Sequence, residues 1–308
     1  RNCVFYCAKM MAEMLMSTSG LQIQVFLPSE AERFFPQAED VILMITQEGK
    51  SVNVLRAANH FEKIGAQFCV MTAAPDSPTA GRAQDCLDLG CGEELCGPKT
   101  MGVMATLTCL TLLGLEWGYC SGYLTQSAYA DGTNALNSLI ANMDQNIASS
   151  RKWATENETF FLDASFVSVL SNSPLCALGC EGALKWMETL YIPSVSYEFE
   201  EFIHGPHCLI GNSLHVIALY HGLEGEDRLK ALCGFAREKG ANVLEISDQQ
   251  EGKEFNGLRL IGSGDKVFPM AFLLPFQAAA AYLAERMGHD LNHSKFPGFA
   301  TRLKSKLY

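Results

Sequence analysis

Two carboxylates and one amine recur at helical spacing in the segment 181–188. Because an α-helix has about 3.6 residues per turn, Glu181, Lys185 and Glu188 fall on one helical face. Carboxylates beside an ammonium group can take up and release protons, so this face has the groups that acid–base catalysis needs. The same spacing is typical of solvent-exposed ion pairs, which stabilise a helix by only about 0.2–0.5 kcal/mol, and spacing alone favours that second interpretation.

A histidine in a restricted turn, His204-Gly205-Pro206, follows this segment. Proline and glycine define the turn and leave the imidazole exposed, which suits a group that must meet a substrate. The segment 181–188 and this turn together resemble the signature of the sugar isomerase (SIS) family. They are similar to the isomerase half of glucosamine-6-phosphate synthase and to bacterial fructosamine-6-phosphate deglycases.

The resemblance implies a role for each of these side chains. Glu188 resembles the carboxylate that carries a proton between C1 and C2 of a sugar through an enediol, with Lys185 beside it. Glu181 resembles a carboxylate that orients Lys185 or the sugar hydroxyls. His204 is similar to the histidine that opens the sugar ring and is delivered across a dimer interface, and Glu201 matches the glutamate three residues before it.

A turn of hydroxyls and glycine, 46–51, follows the first clear apolar run and precedes a helix. Such a turn gathers free N–H groups at the positive end of a helix dipole, which suits a phosphate, but Ser51 can equally be a helix cap. The family resemblance favours a sugar phosphate. Thr46, Gly49 and Ser51 match the family's phosphate-binding turn, which also includes Gln47.

Glu48 departs from that pattern, because the family has a phosphate-binding serine at this position. A carboxylate beside a phosphate is unfavourable unless a cation neutralises it. Lys50, or Arg1 from the family's neighbouring turn, is the candidate cation, and without it the position of a phosphate here is open.

Further binding residues are expected from the resemblance at three other places. Lys99 and Thr100 lie where the family has a Thr-Lys pair at a helix start near the sugar. Ser171 and Ser173 replace the family's glycine-rich turn in the second domain and can still donate hydrogen bonds. The carboxyl-terminal tail resembles the family tail whose lysine folds over the open-chain sugar, and both Lys304 and Lys306 qualify.

The order of strand and helix patterns predicts a parallel α/β sheet in each half of the chain. In the first half, strands at 41–46 and 68–72 flank a helix at 51–64. In the second half, strands at 167–170, 214–220 and 242–246 alternate with helices at 175–190 and 225–239. The resemblance accordingly implies an α/β fold of two tandem SIS domains, each a parallel sheet flanked by helices in a flavodoxin-like three-layer sandwich.

We place the boundary between the domains within a Gly/Ser/Thr-rich stretch at 121–132, giving domains 1–130 and 131–308. The second domain then includes a polar helical connector at 134–156 and the tail. Because the family has a helix and a strand before the point where this chain starts, we also expect an amino-terminal segment that precedes Arg1.

Composition excludes some classes of partner. The 308 residues carry a net charge of −11, whereas binding to nucleic acid or to an anionic membrane requires a basic surface. The 12 cysteines have no metal-ligand spacing and mostly lie in apolar runs, so reduced thiols in a cytoplasmic protein are expected. The apolar runs 101–115 and 269–283 are shorter than the ~20 residues that span a bilayer, which favours buried or interface helices.

The sequence therefore predicts an enzyme that acts on a ketose or 1-amino-ketose 6-phosphate through an enediol or enaminol. It needs no metal or organic cofactor, and we expect a homodimer with the site at the subunit interface. A histidine turn without the synthase's preceding lysine, the Phe-Pro tail and a double domain without a glutaminase favour a deglycase over a simple isomerase. The alternative is a non-catalytic sugar-phosphate-binding regulator, although no basic helix-turn-helix accompanies the SIS pattern.

Overall fold

The computed structural model describes residues 2–173, 175–249, 255–262 and 269–306. It consists of parallel β-sheets flanked by α-helices, which confirms the predicted α/β fold. The described helices are α1 (Asn2–Ser19), α2 (Val52–Lys63), α3 (Met101–Cys120), α4 (Gln126–Ala141), α5 (Met143–Glu156), α6 (Glu158–Asp163), α7 (Leu175–Thr189), α8 (Phe199–Phe202), α9 (Glu226–Glu238), α10 (Leu273–Arg286) and α11 (Phe299–Arg302). The described strands are β1 (Leu43–Ile45), β2 (Cys69–Thr72), β3 (Asp85–Asp88), β4 (Val167–Ser171), β5 (Ser194–Glu198), β6 (His215–Tyr220), β7 (Asn242–Ser247) and β8 (Leu258–Arg259).

The chain forms two compact units. The first comprises Arg1–Ala8, Ile23–Leu110 and Asp290–Tyr308, and the second comprises Lys9–Gln22 and Thr111–His289. The carboxyl-terminal tail is thus part of the first unit. The division into domains 1–130 and 131–308 stays a prediction, because these units are defined by contacts and not by duplication of a fold.

The first unit contains a parallel sheet in the order β1-β2-β3. Helix α2 connects β1 to β2, and its apolar positions repeat every three or four residues along one face. Val54, Ala57 and Phe61 on this face pack with Met44 of β1 and Val70 of β2. The helix is therefore fixed against the sheet, with its amino-terminal end directly after the turn 46–51.

The second unit contains a parallel sheet in the order β5-β4-β6-β7-β8. The two central strands, β4 and β6, are buried along their whole length. From β4 the chain moves to β5 on one side and then to β6 on the other, so a topological switch point lies between β4 and β6. Crevices at such points, outside the carboxyl ends of the strands, are where α/β sheets bind ligands.

Several elements differ from the sequence-based prediction. Strands β3, β5 and β8 were not predicted. All four residues of β3 are exposed, and the sequence there has no apolar run to indicate a strand. The stretch 121–132, predicted as a linker, becomes helical at Gln126, and the connector is two helices that meet at Asn142. Gly132 serves helix packing, since a Cβ there would lie 2.6 Å from Leu115 Cδ2.

The two apolar runs form helices. Helix α3 is long and apolar enough to cross a membrane by length and composition, but half of its apolar window is buried within the protein. The second run forms a 3₁₀ turn, Pro269–Phe272, followed by α10, and Phe272 and Phe276 are fully buried. The second run thus supplies interior packing, and the first does so along half of its apolar window.

Candidate active site

Helix α7 brings Glu181, Lys185 and Glu188 together on one face, as their spacing predicts. Lys185 Nζ donates a hydrogen bond to Glu188 Oε1 at 2.6 Å and lies 3.4 Å from Glu181 Oε1. The side chains of Glu181 and Lys185 are 2% and 1% exposed, whereas that of Glu188 is 35% exposed. The Glu181–Lys185 pair is therefore not an ordinary surface pair, and Glu188 is the member that solvent or a substrate can reach.

Small residues let α7 approach its neighbours closely enough to bury this group. A Cβ at Gly182 would collide with the ring of Phe276 on α10, and one at Gly179 would collide with Ser196 on β5. Trp186, fully buried, donates from Nε1 to the Phe276 carbonyl at 3.2 Å. The charged face of α7 is held in a fixed position by this packing, because dense interiors resist displacement.

The electrostatics of the group follow from burial. Removal from water raises the pKa of Glu181 to about 7, even though the nearby Lys185 ammonium lowers it. Apart from the 3.4 Å contact with Lys185, neither carboxyl oxygen of Glu181 has a hydrogen-bond partner among the described residues. One helical face therefore carries, in succession, the buried Glu181 carboxyl that titrates near neutrality, the buried Lys185 ammonium group and the accessible Glu188 carboxylate. Together these three groups can bind, hold and release a proton.

The histidine turn is anchored but separate from this group. Buried Phe199 and Phe202 fix helix α8, and Glu198 caps it by accepting hydrogen bonds from two backbone N–H groups of its first turn. His204 follows, with its N–H donating to the Glu201 carbonyl at 3.2 Å. Both His204 and Glu201 are exposed, and within the described ranges the imidazole makes no hydrogen bond, either to Glu188 or to another residue.

The turn between β1 and α2 holds a three-charge cluster. Glu48 accepts a hydrogen bond from Lys306 Nζ at 2.5 Å and lies 3.3 Å from Lys99 Nζ. Burial acts to raise the pKa of Glu48, but the two ammonium groups more than offset it, so the pKa lies below its usual value. Lys50, one of the two candidate cations, is exposed and makes no described ion pair, and Arg1 lies outside the described residues.

The carboxyl-terminal tail is joined to this turn by its backbone as well. Lys306 forms an antiparallel bridge with Ser51, and the Val52 N–H donates to the Ser305 carbonyl at 3.2 Å. Lys304 is exposed and has a left-handed backbone with φ 47°, and no described acidic group pairs with it. Of the two tail lysines, Lys306 is therefore the one that reaches the turn.

The remaining residues of the turn have different environments. Thr46 is 6% exposed, and Gln47 Nε2 is buried without a hydrogen-bond partner in the described part of the chain. Gly49 has φ 61° and approaches Ser77 so closely that no Cβ could fit. Ser51 is the residue before α2, yet its side chain makes no capping hydrogen bond. Ser51 therefore does not act as the cap that was the alternative to ligand binding, and its hydroxyl is available.

The amino-terminal end of α3 is occupied by a residue that sequence reasoning missed, Glu94. Its carboxylate accepts hydrogen bonds from the N–H groups of Thr100 at 2.6 Å, Met101 at 2.9 Å and Gly102 at 3.1 Å, and from the Thr100 hydroxyl at 2.9 Å. Lys99 Nζ donates to the Glu94 carbonyl at 2.9 Å. Thr100, expected at the sugar, instead binds Glu94, whose position six residues upstream gives no recognisable capping pattern.

The turn after β4 lies at the carboxyl edge of the second sheet. Ser171 Oγ and Asn172 Oδ1 are buried there, and no described residue hydrogen-bonds to either, while Asn172 Nδ2 donates to the Glu224 carbonyl at 2.7 Å. The Ser173 hydroxyl donates to Glu13 at 3.4 Å. Of the two serines expected to bind substrate, Ser171 keeps an unused hydroxyl and Ser173 has an internal partner.

Among the described residues, no three His, Cys, Asp or Glu side chains are grouped closely enough to hold a metal ion. The ten cysteines whose side chains are described are free thiols.

Comparisons with known proteins relate this fold to sugar-phosphate enzymes. No family model matches the chain. The chain is 24% identical over 289 residues to glutamine–fructose-6-phosphate aminotransferase (isomerizing) of Pseudomonas putida, covering 91% of the chain and 47% of that protein. It therefore spans about half the length of the curated relatives it matches.

Solved structures share its fold. A Clostridium difficile 630 protein, described as a candidate phosphosugar isomerase, superimposes with a TM-score of 0.88 at 24% identity, covering 98% of this chain and 87% of that one. The carboxyl-terminal domain of glucosamine-fructose-6-phosphate aminotransferase from Francisella tularensis gives 0.82 at 19% identity, covering 94% and 84%. In sequence and in fold, the chain is thus similar to the SIS proteins that its two motifs resemble.

Proposed function

We propose that this protein is a sugar isomerase or deglycase that moves a proton between C1 and C2 of a ketose or 1-amino-ketose. The observation that carries the proposal is the accessible Glu188 carboxylate, held at 2.6 Å by the buried Lys185 ammonium group. Its second oxygen, Oε2, accepts no hydrogen bond from a described residue and is available to a substrate. The resemblance implies a 6-phosphate at the far end of this substrate.

Glu188, Lys185 and Glu181 each have one role in the proposed reaction. Glu188 removes a proton from C1 to form an enediol, or an enaminol when C1 bears an amine, and returns the proton to C2. In the amino case the nitrogen loses its proton while the C2 oxygen gains one, which gives an imine. Water then cleaves the imine into an aldose and the free amine. Lys185 positions Glu188, and Glu181 holds or releases a proton behind it.

His204 is assigned to ring opening in a homodimer. Its imidazole is exposed and makes no hydrogen bond to a described residue of its own chain. Both observations support a role toward a second copy, which the resemblance also implies. An oligomer in which one copy completes the site of another is common among symmetric enzymes.

The test is the substitution Glu188→Gln, which keeps the size of the side chain and its hydrogen bond but removes the base. We expect turnover of fructose 6-phosphate, fructosamine or fructosamine 6-phosphate, followed as solvent deuterium incorporation, to fall by about 10²–10⁴-fold. Ligand-induced thermal stabilisation is expected to stay unchanged. Glu238→Gln on the exposed surface of α9 is the matched control. Binding without turnover in the unsubstituted protein would instead identify a regulator.

A further inference from the structure

The anion-binding positions of the first unit are already occupied by carboxylates of the chain. Glu94 accepts three backbone N–H groups at the start of α3, where an external anion would otherwise bind. Glu48 lies between Lys99 and Lys306, two ammonium groups that other segments bring to the turn. Both lysines therefore already have a carboxylate partner, Glu48.

A phosphate dianion in this turn would add two negative charges next to an ionised carboxylate. Lys306 and Lys99 keep Glu48 ionised, since together they hold its pKa below the usual value. To bind phosphate, the two lysines would have to give up their contacts with Glu48, at 2.5 Å from Lys306 and 3.3 Å from Lys99, and the Glu48 carboxylate would lose both cations. Removing one partner of a half-buried charge pair is unfavourable, because the remaining charge keeps its desolvation cost.

The same turn is well supplied with neutral hydrogen-bonding groups. The Gln47 amide nitrogen is buried and has no hydrogen-bond partner among the described residues, and the Ser51 hydroxyl makes no capping bond. Thr46 adds a hydroxyl that makes no hydrogen bond to a described residue. A carboxylate accepts hydrogen bonds from hydroxyl groups, and ammonium and amide groups donate hydrogen bonds to hydroxyl groups. A site with both donors and acceptors therefore suits a polyol.

We propose that Glu48 makes this turn selective for the uncharged, hydroxyl-bearing end of a sugar and excludes a phosphate dianion. The proposal rests on the isomerase or deglycase reaction stated above. It concerns the substrate class of that reaction: an unphosphorylated ketose or fructosamine in place of the 6-phosphate that the resemblance implies.

The experiment measures binding of inorganic phosphate by calorimetry to the full chain and to Glu48→Ser and Glu48→Gln. Both variants remove the charge, and the serine also removes the partner of both lysines. We expect the unsubstituted protein to bind phosphate at least about tenfold more weakly than either variant. The reason is that the Glu48 carboxylate would repel a phosphate bound in the same turn. Glu39→Gln, an exposed carboxylate before β1, makes the same change in net charge and should leave phosphate binding unaltered.

Turnover provides the second arm. The unsubstituted protein should have a higher kcat/KM for fructose or fructosamine than for the 6-phosphates, and Glu48→Ser should reverse that preference. Equal or tighter phosphate binding by the unsubstituted protein, or a preference for the 6-phosphates, would overturn the proposal. If no sugar is turned over, the proposed reaction fails, but the phosphate affinities of the three proteins still decide the role of Glu48. Thermal unfolding of each variant verifies that it is folded, and Glu48→Gln serves if the serine variant is not.

Discussion

Glu48 and Lys306 are 258 positions apart in the chain, yet their side chains are joined by a 2.5 Å hydrogen bond. This pair, with the Ser51–Lys306 bridge, connects the carboxyl-terminal tail to the turn before α2. It also distinguishes Lys306 from Lys304, two tail lysines that the sequence alone does not tell apart. Because this hydrogen bond joins two charged groups, the position of the tail depends on the ionisation of Glu48.

The pH dependence of the free energy of unfolding is expected to show the titration of Glu181. Its pKa is raised by burial from the usual 4.5 to about 7, so the folded protein keeps a proton that the unfolded chain has lost. Between these pH values the free energy of unfolding should therefore fall as pH rises, by up to about 3 kcal/mol from this group.

Glu181→Gln is expected to remove this slope in urea denaturation series between pH 4.5 and 7. Glu48 and Glu94, whose pKa values are lowered, contribute stability that is lost only below this range, so they do not mask the effect. An identical slope in the Glu181→Gln protein would contradict the assignment.

The close packing of α7 gives a paired prediction on two glycines. Gly182→Ala should destabilise the protein by about 1–3 kcal/mol, because its Cβ would collide with the ring of Phe276. Gly234→Ala on α9 is the matched control: its Cβ would meet no atom within 4 Å, and alanine favours helix by about 1 kcal/mol. Urea midpoints should therefore shift in opposite directions, and a shift in the same direction would contradict the packing argument.

The cap formed by Glu94 should matter for α3. Glu94→Ala leaves three N–H groups at the start of the helix without their carboxylate and should lower the free energy of unfolding by about 1–2 kcal/mol. Glu94→Gln keeps one acceptor oxygen and should lose less. Glu93→Ala, the exposed neighbour, is the control, and equal losses at both positions would show that the cap has no stabilising role.

A shared site in a homodimer can be tested by complementation. Glu188→Gln and His204→Asn should each be inactive alone. If His204 acts on a second copy, refolding an equal mixture should restore about a quarter of the unsubstituted activity, since half of the dimers are mixed and each has one intact site. No recovery, together with a dimer by light scattering, would place His204 in its own chain's site.

Local patterns in the sequence predict the elements that carry the candidate site. The period of apolar residues indicates β1, α2, β4 and α7, and the spacing of Glu181, Lys185 and Glu188 places them on one face, because helix geometry depends on neighbours along the chain. The strands β3, β5 and β8 and the start of α4 are not predicted in this way. Strand β3 is exposed throughout, so no apolar run indicates it.

The sequence by itself determines which groups share a helical face and which turns precede helices, since both follow from short-range geometry. Only the tertiary structure decides that Lys185 is buried, that Lys306 and not Lys304 meets Glu48, and that Glu94 occupies the start of α3. Those outcomes depend on packing between segments far apart in the chain. Burial and distant charges then set the pKa values and partners, which no local spacing encodes.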